Sequence, residues 1–202
     1  MRVRATLRVP SIEDVERARK EFINEEPRNL FYLVASELID LVRKGMSKKV
    51  SIAQALAVLL QTWNVSFYRF RGGFRETDLE GIKVLLRDYL VALEVYRARE
   101  IATFSHDDEE TTRDIFDSFQ QKLGPVGAAK CLHLLAPAFF PLWDRAIAKK
   151  YCVALNPTGY IEFMNVAKEQ CQLLRKQNAP WPDLLKAIDE YNYCTYTLKT
   201  PA

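Results

Sequence analysis

The sequence predicts an all-α fold, and three observations carry that expectation. Apolar residues recur at spacings of three and four along the 202-residue chain. Period-two runs rich in Val, Ile and Thr are absent. Only 7 Gly and 9 Pro occur, so breakers are few. A composition of 49% hydrophobic and 27% charged residues is that of an ordinary soluble globular protein. The length suits one sizeable core over residues 1–202, with two small lobes as the alternative.

The elements follow in order. Ser11 is an N-cap with Asp14 three residues on, a capping-box start. The helix it opens carries Ile12, Val15, Ala18, Phe22 and Ile23 on one side and ends at Pro27. A second helix spans about 28–43, with Leu30, Phe31, Val34, Leu38, Ile39 and Leu41 as its apolar set and Gly45 closing it. Ser51 caps a third, 52–63, which is apolar nearly all round and therefore central. A polar-aromatic tip follows, then Arg69, Arg71 and Arg75 interleaved with aromatics. Further helices are expected at about 78–102, 110–122, after Asp144, 159–178 and 183–193.

A net charge of +3 permits contact with phosphate without demanding it. Cys131, Cys152, Cys171 and Cys194 are about twenty residues apart, with no CxxC, which reads as buried free thiols rather than a metal site. No stretch reaches the ~20 apolar residues of a membrane span, and Met1-Arg2-Val3-Arg4 opens no secretory signal. The expectation is a cytoplasmic protein, nucleoid-associated or, in a eukaryote, nuclear. A monomer without metal or cofactor is expected. No P-loop, Ser/His/Asp spacing or paired-carboxylate motif points to another reaction class.

One stretch stands out. Leu123-Gly124-Pro125-Val126-Gly127-Ala128-Ala129-Lys130 joins two helical segments through two glycines three apart, within about 110–137. Such glycines allow a tight turn. The second helix would then start with unpaired N–H groups facing outward, a setting for a phosphate. The plain alternative is an αα-corner that only packs. Beyond it, Trp143-Asp144 precedes another helix, where Asp144 is at least a cap.

Together these pieces resemble the helix–hairpin–helix DNA glycosylase superfamily, which includes endonuclease III and oxoguanine glycosylase. Leu123 to Gly127 looks like the family's Leu-Pro-Gly-Val-Gly. Trp143 to Lys149 looks like its Val-Asp-x-x-Ile/Val-x-Arg, with Asp144 at the catalytic position. Residues 57–62, with Val65-Ser66 nearby, are similar to the central helix and its Gln-bearing wedge loop. The likeness covers about residues 50–152. Ala129 occupies the family's Schiff-base lysine position, and Lys130 follows one residue, or about 100°, further round.

The resemblance implies a helical glycosylase fold and excision of a damaged or modified base from double-stranded DNA, with lyase activity through Lys130 if the chain is bifunctional and Asp144 acting alone with water if it is not. Lys130 and Asp144 would be catalytic. Gly124, Val126, Gly127, Ala128, Gln61, Asn64, Arg69 and Arg71 would contact DNA. Trp63, Tyr68 and Trp143 would line a base pocket, each with core packing as its alternative. His133 reads as a satisfied, partly buried histidine rather than a general base. The rival functions are a non-catalytic hairpin module for DNA or a partner protein, and a pocket for a different small ligand.

Overall fold

A computed structural model describes residues 9–199; the opening Met1–Arg4 lies outside them. The described residues are helical, with no strand among them. In order come α1 (Ile12–Glu25), α2 (Asn29–Arg43), α3 (Ile52–Trp63), α4 (Val65–Arg69), α5 (Glu76–Arg97), α6 (His106–Leu135), α7 (Arg145–Lys150), α8 (Pro157–Lys176) and α9 (Leu184–Asn192). A 3₁₀ turn at Ile101–Thr103 follows α5, and a π turn at Tyr193–Thr197 follows α9.

Local chemistry starts most of these helices. Ser11 and Ser51 form reciprocal capping boxes with Asp14 and Gln54, each contributing about 1 kcal/mol. At α6 the Ser105 N–H and hydroxyl both donate to the Asp108 carboxylate, at 2.8 and 3.0 Å, and the helix begins four residues before the expected Glu110. Arg99 grips that carboxylate through 2.6 and 2.8 Å contacts, and Asp108 is pulled down to about 2 chiefly by it. Asn156 caps α8, with Pro157 at its first turn. The short α4 was not expected; it occupies the aromatic tip.

Two elements form the centre. In α3, Ala53, Ala55, Leu56, Ala57, Leu59 and Leu60 are buried. The second half of α6 buries every residue from Cys131 to Leu135. Around them, α3 packs against α2, α5 and α6, and α6 against α5 and α8. An aromatic stack anchors the segment after α6: Phe116 lies 4.1 Å from Tyr160, and Trp143 packs on Tyr160 and Phe163. The core runs continuously from Val15 to Ile188.

The first and last of these helices meet. α1 pairs with α9; Arg19 bridges Asp183 through two hydrogen bonds of 3.0 and 3.1 Å and Glu190 at 2.9 Å. This pairing brings the π turn beside the segment preceding α7.

Two expectations about faces are corrected. α2 buries Tyr32, Ala35 and Ile39, leaving Leu30, Phe31 and Val34 exposed, as is Ile23 on α1. Of the four free cysteines, Cys131, Cys171 and Cys194 are buried but Cys152 is exposed.

Candidate functional site: a lysine and an aspartate in one cavity

The kink in α6 sets the geometry. Gly124 adopts φ 71° and ψ 163°, which breaks the helix just before Pro125. A Cβ there would stand 2.8 Å from the Phe67 ring; one at Gly127 would stand 3.0 Å from the Asn64 side chain. Both glycines, with Ala128, are buried against α3 and α4. Where the sequence predicts an outward-facing turn, the glycines allow close packing instead. Asn64 is buried too, its amide donating to the Leu123 carbonyl at 3.5 Å.

The kink also positions the segment carrying Asp144. Trp143 is buried, and its indole N–H donates to the Pro125 carbonyl at 3.1 Å. Asp144 follows with extended backbone and caps α7, accepting from the Ile147 N–H at 2.8 Å through Oδ1. Its Oδ2 accepts from the Thr197 hydroxyl at 2.6 Å. The carboxylate remains partly exposed.

Lys130 and Asp144 line the same cavity, of about 1100 Å³. Lys130 projects from the second half of α6, while Ala129 beside it is fully buried. The Lys130 amine donates to the Trp63 carbonyl, the last of α3, and lies 5.7 Å from the Trp63 ring centre. It therefore closes the C-terminus of α3, where a cation suits the orphan carbonyls. Burial lowers its pKa from 10.5 to about 8; the Asp144 charge works against this, and Arg28 works with it. A lysine in that range carries an appreciable neutral fraction near pH 7.5 and is a competent nucleophile.

The other walls come from both ends of the chain. Phe22, Trp63, Trp143, Tyr193 and Tyr196 supply apolar surface; Val65 and Val126 also face the cavity. Glu26 is buried and accepts from the Arg28 side chain at 2.7 Å and the Tyr193 hydroxyl at 2.5 Å. Burial raises its pKa, but these hydrogen bonds prevail and leave it lowered. Asp189 is paired with buried Lys186 at 3.0 Å. Exposed Arg145, Lys149, Lys150 and Lys199 make part of the lining cationic.

Several expected site residues lie elsewhere. Gln61, Arg69 and Arg71 are exposed and are not part of the cavity lining; Arg71 sits over the Phe67 ring at 4.8 Å. Tyr68 is buried against Phe67 and Phe74, also away from the lining, so its role is packing. Trp63 and Trp143 do line the cavity, Trp63 while stacked on Tyr32. His133 is fully buried between the Tyr32 hydroxyl at 3.0 Å and the Phe140 carbonyl at 2.8 Å, and burial lowers its pKa to about 4. It is neutral and is not part of the cavity lining. Among the described residues no cluster of His, Cys, Asp and Glu is arranged to hold a metal ion.

Glu26, Arg28, Asp189, Tyr193, Tyr196, Thr197 and Lys199 are site residues that the sequence did not disclose. They lie in the first 45 and last 50 residues, where no motif marks them. Comparison with protein-family models, with curated proteins and with solved structures finds no match for this chain.

Proposed function

We propose that the cavity receives a nucleoside extruded from double-stranded DNA and that the protein excises its base. The observation that supports this most directly is that a pKa-depressed amine and a carboxylate both line one aromatic-walled cavity. A base must leave the stack before its glycosidic bond can be reached, and Trp63, Trp143 and Tyr196 offer faces for it. Arg145, Lys149 and Lys150 give the flanking phosphates a cationic surface.

In this reading the neutral Lys130 amine attacks C1′. The bond to the base breaks, the base leaves with the bonding pair, and the proton lost by the amine goes to the base. The sugar ring then opens to a protonated Schiff base, O4′ taking up a proton, and water releases the product. Asp144 stabilises positive charge developing on the sugar. Where Lys130 stays protonated, Asp144 orients an attacking water instead. A second reading, binding without bond cleavage, draws on the contact between Lys130 and the end of α3, which gives the lysine a structural role.

The test is incubation with duplexes carrying uracil, oxoguanine, alkyl-adenine or an abasic site, with borohydride present. An adduct lost in Lys130→Ala supports attack by the amine; base release lost in Asp144→Asn alone supports water attack. Tight duplex binding with neither product selects the binding reading.

A further inference from the structure

We infer that Thr197 is a positioning residue for Asp144, and that the π turn at the end of the described chain completes the site. The inference rests on the reading of Asp144 as the reacting carboxylate. Both carboxylate oxygens are held from opposite sides: Oδ1 by the Ile147 N–H at 2.8 Å and Oδ2 by the Thr197 hydroxyl at 2.6 Å. An ionised carboxylate has about four acceptor positions, so two remain for a substrate or a water. A hydroxyl donating to a charged oxygen at this length is a strong bond. The cap bond alone leaves the side chain free to swing about it; the second bond fixes the carboxylate plane.

The turn carrying Thr197 is itself anchored. Tyr193 donates to Glu26 at 2.5 Å, the buried Cys194 thiol faces the Ala18 carbonyl at 3.4 Å, and the Leu198 N–H closes onto the Tyr193 carbonyl at 2.9 Å. Tyr193, Thr195, Tyr196 and Thr197 all line the cavity. The carboxylate is thereby set in part by a residue 53 positions away in sequence, on a turn that α1 and α9 hold in place.

The charge that Thr197 orients acts on Lys130. The charged groups facing that amine are Asp144 ahead of α7, Glu26 and Arg28 between α1 and α2, and Asp189 on α9. A carboxylate released from Thr197 swings about its remaining bond to the Ile147 N–H, so its charge is no longer held toward the cavity and the amine loses part of the attraction that favours its protonated form.

The test uses Thr197→Val, Thr197→Ala and Thr197→Ser in the full chain. The pH midpoint for reductive methylation of Lys130 is read on its own peptide by mass spectrometry. The midpoint is expected to fall by up to roughly 1 pH unit in Thr197→Val and Thr197→Ala, and to match the parent in Thr197→Ser. Asp144→Asn is expected to lower it likewise, and Thr197→Val added to Asp144→Asn to lower it no further. Base release, where the parent shows it, falls several-fold in Thr197→Val, and Thr197→Ser restores it. An unmoved midpoint in both Thr197→Val and Thr197→Ala, or additive effects with Asp144→Asn, overturns the inference. A parent protein that releases no base and traps no adduct refutes the excision reading, while the midpoints still decide whether Thr197 sets the carboxylate.

Discussion

Replacing Lys130 by Met tests whether its charge is a burden or a support to the fold. The side chains are of similar length, so packing is nearly kept. A depression from 10.5 to about 8, at about 1.4 kcal/mol per pH unit, means that keeping the amine protonated costs the native state about 3 kcal/mol below pH 8. The substitution also removes the hydrogen bond to the Trp63 carbonyl, a net loss of about 1 kcal/mol. Lys130→Met should therefore be more stable than the parent at pH 7 by about 1–2 kcal/mol. At about 2–4 °C per kcal/mol, its Tm rises by about 2–8 °C, while any borohydride adduct disappears. The pH dependence has a definite sign. Between pH 8 and 10.5 the unfolded chain holds the proton that the folded chain has released, so parent stability contributed by this group rises with pH. From pH 8 to 9.5 the parent gains about 2 kcal/mol and the advantage of Lys130→Met vanishes. Urea denaturation of both proteins at pH 7, 8 and 9.5 measures this. A Lys130→Met protein less stable than the parent at pH 7, by a margin that does not change with pH, would refute the reasoning and leave Lys130 as an ordinary helix cap.

Three other outcomes are expected. Lys149→Glu with Lys150→Glu weakens duplex binding and flattens its salt dependence, the logarithmic slope falling by about one for each phosphate no longer held, whereas Arg69→Glu with Arg71→Glu leaves base release unchanged; filter binding across salt concentrations and a release assay measure the two effects. His133 is held neutral, its pKa lowered to about 4, so the stability it contributes falls as pH drops from about 6.5 through 4, by roughly 3 kcal/mol in total; His133→Gln removes that slope from a denaturation series. At Gly159 a Cβ would lie 1.8 Å from the Ala154 carbonyl oxygen, so Gly159→Ala, which must displace the backbone entering α8, lowers stability by more than about 2 kcal/mol, seen as a fall in Tm.

What was legible follows from range in sequence. Gly124 to Lys130 and Asp144 lie within about twenty residues of each other, and a kinked helix followed by a cap leaves a recognisable local pattern. The serine caps are equally local. The phase of α2 was not legible, because Leu30, Phe31, Tyr32, Leu33 and Val34 are consecutive apolar residues and periodicity selects no face. The aromatic and arginine stretch near residue 70 suggested a phosphate grip. Its aromatics Phe67, Tyr68 and Phe74 instead pack on one another, with Phe67 against the α6 kink at Gly124, leaving the arginines exposed.

By itself the sequence determined the all-α character, the places where helices begin and break, and the residues that can supply an amine and a carboxylate. These depend on caps, glycines and periodicity acting over a few residues. Only the tertiary structure decided that Lys130 rather than Ala129 faces the cavity, and that Glu26, Arg28 and Thr197 complete it. It also decided the depressed pKa of Lys130. That property arises from burial and from charges more than ten residues away along the chain, an environment that exists only once α1 and α9 have closed the two ends of the molecule together.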